Sequence, residues 1–420
     1  MKDPAAPDQS NRRKVPMKTL DLAPPTREEG RSTPVRDRIN GWIDRWMTSD
    51  ELYRWSTSNP LTRWITRRRA RQVFDLMAGF VYSQVLLACV RMRLLEAVKE
   101  RPRTLEELAK FCNVPASGLQ RLLNSAVALN LLEKRGQGRF GLGALGAPVA
   151  GHAGIRAMIE HHAVLYQDMQ DPVALLRDQL PDGQMAQYWP YALDEERDTA
   201  QHQWQAEKIA RYSDLMSASQ PFVVDEILAT YSFSAHRCVL DVGGGQGTFL
   251  SRLAKHAPHV ALMLFDLPQV AALARSNFAR QGLEQRATAR EGSFLMDPLP
   301  VGADLVTLIR VAHDHPDADV KKVLRAIFEA LPIGGTLLLA EPMAQEADQP
   351  PLGDAYFHFY LLAMGSGRLR TARELMGFIQ EAGFAEVTLV KNPMPLQTQI
   401  LVARKAKGLP AKASEPVHSS

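Results

Sequence analysis

"CVLDVGGGQGTFL", residues 238–250, is a short apolar run that ends in Asp241 and breaks into glycines. A strand that runs into a glycine turn and then a helix is built to cradle a nucleotide, because glycine lets the main chain approach the ligand closely. Two common uses of such a turn fail here. A dinucleotide turn wants a third glycine where the helix packs on the strand, and after Gly243 and Gly245 that place holds Thr248. A phosphate-binding loop needs Gly-Lys-Ser/Thr, and no lysine follows the turn before Lys255.

What the run does match, in Asp241-Val-Gly243-Gly-Gly245-Gln-Gly247, is the h-D-h-G-x-G-x-G turn of class I methyltransferases. S-adenosylmethionine carries no phosphate, so its site needs close backbone approach, a polar anchor for the methionine end and a carboxylate for the ribose diol. "ALMLFDLP" is a second strand ending in Asp266, about 20 residues after the turn, where an acidic group can accept both ribose hydroxyls. NAD would accept the same aspartate. The end of the chain separates the two. Strand candidates at 386–391 and 398–403 are joined by "NPMPLQT", short enough for an antiparallel hairpin. Such a strand near the sheet edge is a methyltransferase feature, so S-adenosylmethionine is the expected cofactor.

Composition sets the frame. The chain has 420 residues, 45% hydrophobic and 23% charged, which is ordinary for a globular protein with room for two or three domains. A net charge of +4 is small for this length and gives no global argument for nucleic acid. Cys89, Cys112 and Cys238 are widely spaced, which fits a reducing compartment and neither a disulfide framework nor a zinc site. The first 30 residues lack the apolar core of a signal peptide. The most apolar stretch, 76–90, is interrupted by Ser83 and Gln84 and falls short of the ~18 uninterrupted apolar residues a membrane span needs. A cytoplasmic location is expected.

Residues 74–146 follow a winged-helix pattern. A long apolar helix (74–100) leads to a capping box at Thr104-Leu-Glu-Glu107, and Pro115-Ala-Ser117 opens a third helix through about Leu132. "EKRGQGRFGLG" then reads as a hairpin turning at Gly136 and Gly138. Residues 150–232 read as helical, with breaks at Pro172, Pro181, Pro190 and Pro221. From 237 onward, short β-rich runs at 238–242, 260–265, 304–311 and 335–340 alternate with helical patterns. That alternation predicts a doubly wound α/β domain.

"DLVTLIRVAHDHPDADV" carries a strand straight into His313, Asp314 and His315. Carboxyl ends of parallel strands face the ligand crevice, and a neutral imidazole there suits a general base for a hydroxyl at pH 7. The bland reading of His313 is a solvated loop histidine. A metal site is disfavoured because no third cluster lies nearby. "GGTLLLAEP" ends in Glu341, whose carboxylate would orient the ring and stabilise the imidazolium; its bland reading is a helix cap.

The order of a winged-helix front, "LDVGGGQGTFL", "FDLP", "RVAHDHPDAD", "GGTLLLAEPM" and "GRLRTARELMGFIQEAGF" resembles O-methyltransferases of the caffeic-acid and hydroxyindole type. Within that group, "RRRARQVFDLMAGFVYSQVLLACVRMRLLE" and "YFHFYLLAMGSGRLRTARE" are most similar to the carotenoid O-methyltransferases of purple photosynthetic bacteria. Those enzymes methylate 1-hydroxy groups of acyclic carotenoids on the way to spheroidene. The resemblance covers roughly residues 60–405. It implies a Rossmann-like class I methyltransferase domain (235–405) behind an N-terminal helical, winged-helix dimerisation domain (74–150), with acceptor-pocket helices between them (151–234). A Trp/Arg-rich extension (41–73) and disordered ends (1–40 and 406–420) complete the plan.

By the same resemblance the base falls on His313 and a supporting glutamate on Glu341. Gly243, Gly245 and Asp266 take the cofactor's methionine and ribose positions. In "EGSFL", Ser293 stands where the family has an acidic residue for adenine, and Phe294 supplies the stacking face. Arg310 lies one residue from the place of a cofactor-contacting lysine, and Met216 in "SDLMSAS" falls at the methionine lining the acceptor pocket. One departure matters: the family's second catalytic glutamate aligns with Leu369, so a single carboxylate is expected beside the base.

Rival functions remain to be weighed. A winged-helix DNA-binding regulator should expose basic side chains on its third helix, but between 116 and 132 the only one is Arg121. Leu119, Leu122, Leu123, Val127, Leu129 and Leu131 cover that helix, a face suited to burial in a homodimer. Another rival keeps the enzyme and changes the acceptor to a tetrapyrrole or a polyketide phenol. Finally, four of the six tryptophans, Trp42, Trp46, Trp55 and Trp64, lie beside Arg63, Arg67, Arg68, Arg69 and Arg71. Two readings stay open for this segment: peripheral association with the inner face of a photosynthetic membrane, and packing on the partner subunit.

Overall fold

The computed structural model describes residues 35–180, 183–188, 220–346, 353–393 and 398–406. The expectation of disorder for 1–34 and 407–420, and the placement of Met216, lie outside the described residues. Contacts divide the chain into two units, 1–79 and 80–420.

In the first unit helix α1 spans Val35–Met47 and α2 spans Asp50–Ser58, the latter capped by Ser49, whose side chain accepts from Leu52 N–H. Helix α1 therefore begins inside the stretch 1–40 that was expected to lack regular structure. Its repeat of large apolar residues every three or four positions, beginning at Ile39, is what favours the helix. Helix α3 runs over Arg63–Arg91, continuous across the 73/74 boundary suggested by the sequence.

The expected helix 74–100 is two helices. It breaks at Arg93, whose φ of 52° is left-handed, and α4 follows over Leu94–Glu100. Helix α5 (Leu105–Cys112) starts at the capping box of Thr104 and Glu107. Helix α6 (Ala116–Ala128) stops earlier than expected, and Leu132 instead opens strand β1 (Leu132–Arg135), which pairs antiparallel with β2 (Arg139–Leu142) across the turn Gly136–Gly138. The leucines of α6 correct the sequence reading. Leu119 and Leu123 are fully buried in this chain's own core, with Leu122 and Val127 packed against it, so that face is not held for a partner. A run of exposed large apolar side chains lies instead on α3, at Val73, Phe74, Leu76, Met77, Phe80 and Val81.

Helix α3 is the one described helix long and apolar enough to cross a membrane by length and composition. Its last turns argue against that use, since Leu87, Cys89 and Val90 are buried in the core around α4–α6.

Seven strands make the larger sheet, in the order β5-β4-β3-β6-β7-β9-β8. Strands β3 (Cys238–Val242), β4 (Ala261–Asp266), β5 (Ala287–Glu291), β6 (Leu305–Ile309) and β7 (Thr336–Glu341) are parallel. Strand β9 (Gln399–Arg404) inserts antiparallel between β7 and β8 (Ala385–Val390), as the short connection required. Strand β5 was not legible in advance. Its sequence, Ala-Thr-Ala-Arg-Glu, is short and mostly exposed because it forms the sheet edge, where one face has little to bury. Pro172 and Pro221 each open a helix at its first turn, where proline's missing N–H costs nothing, instead of breaking one.

Strand order reverses between β3 and β6, and the crevice beyond their carboxyl ends is where such sheets bind ligands. The glycine turn follows β3, and the His313 loop follows β6. If α6 is a core helix and not a surface-reading one, Leu123→Ala should lower the unfolding free energy by about 2–5 kcal/mol. A denaturant titration checks this; a loss below about 0.5 kcal/mol, the range of a surface substitution, would mean the face is not core.

Candidate active site

The glycine turn is a main-chain cradle. Gly243, Gly245 and Gly247 have φ of 68°, 59° and 76°, a left-handed geometry that side chains rarely adopt. A Cβ on Gly243 would come within 2.7 Å of Val311 Cγ2, whereas at Gly245 nothing lies within 4 Å. The turn is thus packed on one side by the β6 loop and open above Gly245.

Asp266 closes the cradle from β4. Its Oδ2 accepts from Gly245 N–H at 2.9 Å and its Oδ1 from Leu267 N–H at 2.8 Å, so each oxygen keeps one lone pair. Asp241 lies beneath, accepting from Thr307 Oγ1 at 2.6 Å. Burial pushes both carboxyls up, Asp241 to about 7 and Asp266 to about 6, against the hydrogen bonds that pull them down. The charge of Asp266 raises Asp241 further. Two buried carboxylates side by side make a site whose field suits a cation.

Ser293 and Phe294 sit at the far side. Leu295 N–H donates to Ser293 Oγ at 3.3 Å, and Ser293 N–H donates to Asp297 Oδ2 at 2.8 Å, so the serine shapes its own turn. Phe294 lies 3.7 Å from where a Gly243 Cβ would be and meets His315 edge to face, with ring centroids 5.3 Å apart. Arg310 follows β6 with φ of 55°, a left-handed conformation that costs a non-glycine residue about 1–3 kcal/mol and tends to be kept at functional sites. Its charge lowers the pKa of His313 and of Asp314.

The other half of the crevice is built around Glu341 at the end of β7. Its Oε1 accepts from Val311 N–H at 2.8 Å and from Ala312 N–H at 2.7 Å, and its Oε2 is hydrogen-bonded to His313 Nδ1. His313 Nε2 lies 3.2 Å from Asp314 Oδ1. Burial alone would lower the His313 pKa, but the charges of Asp314 and Glu341 and the Glu341 hydrogen bond together raise it. Burial likewise pushes Asp314 up to about 6.

Arg370 fastens the same loop from the other side. It donates to the carbonyls of Ala312 at 2.7 Å and His315 at 2.8 Å, and to Asp317 Oδ1 at 2.6 Å, while only 2% exposed. Arg368 N–H donates to His313 O at 3.0 Å, and Leu369 is buried in an apolar cluster with Tyr360, Leu361 and Met364. Among the described residues no group of three His, Cys, Asp or Glu side chains is placed to hold a metal.

Residues 166–385 match the model of an O-methyltransferase domain, and residues 74–147 match that of the O-methyltransferase dimerisation domain. The demethylspheroidene O-methyltransferase of Cereibacter sphaeroides is 39% identical over 346 residues, 82% of this chain and 90% of that protein. The chain belongs to the O-methyltransferase family. The Rhodobacter capsulatus protein of the same name is 36% identical, over 89% of this O-methyltransferase and 92% of the relative. Human N-acetylserotonin methyltransferase, solved with S-adenosylmethionine, shares the fold with a TM-score of 0.65 at 24% identity, covering 81% of this chain and 98% of that one. The dimerisation-domain match supports a homodimer, and the exposed apolar side chains of α3 at 73–81 are suited to burial by a second copy of this O-methyltransferase.

The tertiary structure thus brings Gly243, Gly245, Asp266, Phe294, Arg310, His313 and Glu341 to one crevice side, the carboxyl ends of β3, β4, β6 and β7, with Ser293 on the turn after β5. Two residues were missed in their present positions. Asp314 was weighed only as a metal ligand, though a carboxylate adjacent to a strand-end histidine was a readable signal. Arg370 carried no signal, because nothing in "GRLRT" says which arginine will be buried.

Asp266→Ala removes an acceptor and leaves Gly245 N–H without its partner. Affinity for S-adenosylhomocysteine should fall by roughly 1.5–3 kcal/mol, the worth of hydrogen bonds to a charged group. Calorimetry on the folded variant checks this; unchanged affinity would place the ribose elsewhere.

Proposed function

We propose that this O-methyltransferase methylates the 1-hydroxy group of an acyclic carotenoid, with S-adenosylmethionine as the donor and His313 as the general base. One observation carries the chemistry: the imidazole tied to buried Glu341 stands on the loop after β6, the strand beside the glycine turn's β3. The acceptor is supported by the two relatives named for demethylspheroidene and by the apolar cluster that holds Leu369 next to the His313 loop.

The residues fit the cofactor. Gly243 and Gly245 offer main chain without side-chain obstruction, the free lone pairs of Asp266 suit a ribose diol, and Phe294 offers a stacking face. When bound there, S-adenosylmethionine supplies an electrophilic methyl group on a sulfonium. Everything else falls to the protein. Glu341 fixes the Nδ1–H tautomer, leaving Nε2 as the atom that takes the hydroxyl proton. An aliphatic alcohol is so weak an acid that prior deprotonation by imidazole would be steeply uphill, at about 1.4 kcal/mol per pKa unit. Proton removal therefore accompanies methyl transfer, and orientation supplies much of the rate. The imidazolium formed has a carboxylate at each nitrogen, Glu341 at Nδ1 and Asp314 near Nε2. Asp314 in this way supplies the second carboxylate that Leu369 cannot. A cytoplasmic enzyme acting at the inner membrane face would meet an acceptor confined to lipid.

The decisive experiment incubates the protein with labelled S-adenosylmethionine and hydroxylated acyclic carotenoids and identifies the product. A 1-methoxy carotenoid is expected; turnover of a phenol or tetrapyrrole with none of the carotenoid would overturn the acceptor. His313→Ala should cut kcat by about 10²–10⁴ with cofactor affinity intact, and retention of more than half the rate would remove the base assignment. Glu341→Gln should also be severe. Its Oε1 can still accept both loop N–H groups, but its NH2 would face Nδ1 and force the proton onto Nε2.

The pH profile gives an independent check. The base works only when neutral, and its pKa is raised, so kcat should climb with pH through a value above the ordinary 6.5. Asp314→Asn removes a charge that raises that pKa, so the acid limb should move to lower pH. A limb that stays in place would separate Asp314 from the base.

A further inference from the structure

Helix α1 sets Ile39, Trp42, Ile43, Trp46 and Met47 at steps of three and four, hence on one face. All five are exposed, by 37% to 61%. Trp42 and Trp46 stack nearly parallel, with ring centroids 6.4 Å apart. Helical geometry puts Arg36 within the angular range of that face and Arg38 at its border, with Asp37 opposite it; Arg45 and Asp44 flank it at equal distances on the two sides. Tyr53 and Trp55 of α2 and Trp64 of α3 are exposed as well.

Charge follows the same stretch. Between residues 35 and 71 nine arginines stand against four carboxylates, an excess of +5, while the whole chain carries +4. The net positive charge of the protein is therefore concentrated here. The dimerisation-domain match begins at residue 74, so α1 and α2 lie outside it.

We propose that residues 35–71 dock on an anionic lipid surface, with α1 lying in the headgroup plane. Tryptophan favours that boundary because its ring is apolar and its N–H is polar. Arg36 and Arg38, on and beside the face, reach lipid phosphates while Asp37 stays in water. A protein partner covering the tryptophans would have to desolvate the bordering guanidinium groups, whereas headgroups pair with them. The proposal does not depend on the acceptor, although it would explain how the enzyme reaches a lipid-dissolved one.

The test uses the full chain and vesicles free of carotenoid, so its outcome is separate from that of the activity assay. Co-sedimentation is measured with phosphatidylcholine vesicles, with and without phosphatidylglycerol, at low and high salt. Binding should require the anionic lipid and fall with salt. Replacing Arg67, Arg68 and Arg69 by Gln should weaken partitioning about fivefold per arginine. Trp42→Ser with Trp46→Ser should weaken it at least about tenfold, with the dimer intact by light scattering. Absence of sedimentation at low salt, equal binding to neutral vesicles, or dissociation of the tryptophan variant into monomers would overturn the proposal; the last would assign the face to the subunit interface.

Discussion

The carboxylate of Glu341 is the constraint on which the site depends. It is 1% exposed, and a buried charge is tolerated only when hydrogen bonds replace its water. Two main-chain N–H groups and an imidazole do so, all from the loop after β6. Strands β6 and β7 are parallel neighbours in register, with Ile309 beside Ala340, so the loop leaving β6 arrives at the end of β7 where Glu341 stands. The sheet delivers the carboxylate, and the carboxylate in turn fixes the loop.

Arg370 completes that arrangement from the opposite direction. The loop gives its N–H groups to Glu341 and two of its carbonyls to Arg370, so one short segment is held by an anion on one side and a cation on the other. Gly367 tightens it further, because a Cβ there would fall 2.0 Å from the His313 carbonyl. The position of the imidazole thus follows from the packing of three separate parts of the chain. The glycine turn meets the same loop through Val311, which lies against Gly243. The glycine turn and the His313 loop share a wall.

Much of this was legible. The turn at 241–247 demands glycine for conformational reasons, and a strand that ends in Asp266 one crossover later is a local pattern. His313 and Glu341 were readable because each ends an apolar run, and the carboxyl ends of parallel strands converge on one crevice. The misreadings have physical causes. Helix periodicity between 74 and 100 does not mark the left-handed residue Arg93 that divides it. The leucines of α6 look the same whether a helix packs in its own domain or on a partner, and only the contacts distinguish the two. Strand β5, at the sheet edge, has little apolar pattern to read.

Sequence by itself determined the fold class, the glycine turn, the strand-end carboxylate Asp266, the histidine and its glutamate, since each follows from short-range chemistry at a strand end. Tertiary structure alone decided that Asp314 faces Nε2 and that Arg370 is buried under the loop. It alone decided too that the apolar face of α1 is left uncovered by the described residues of its own chain. Those outcomes depend on which distant segments meet, and a one-dimensional pattern holds no distance between residues 312 and 370.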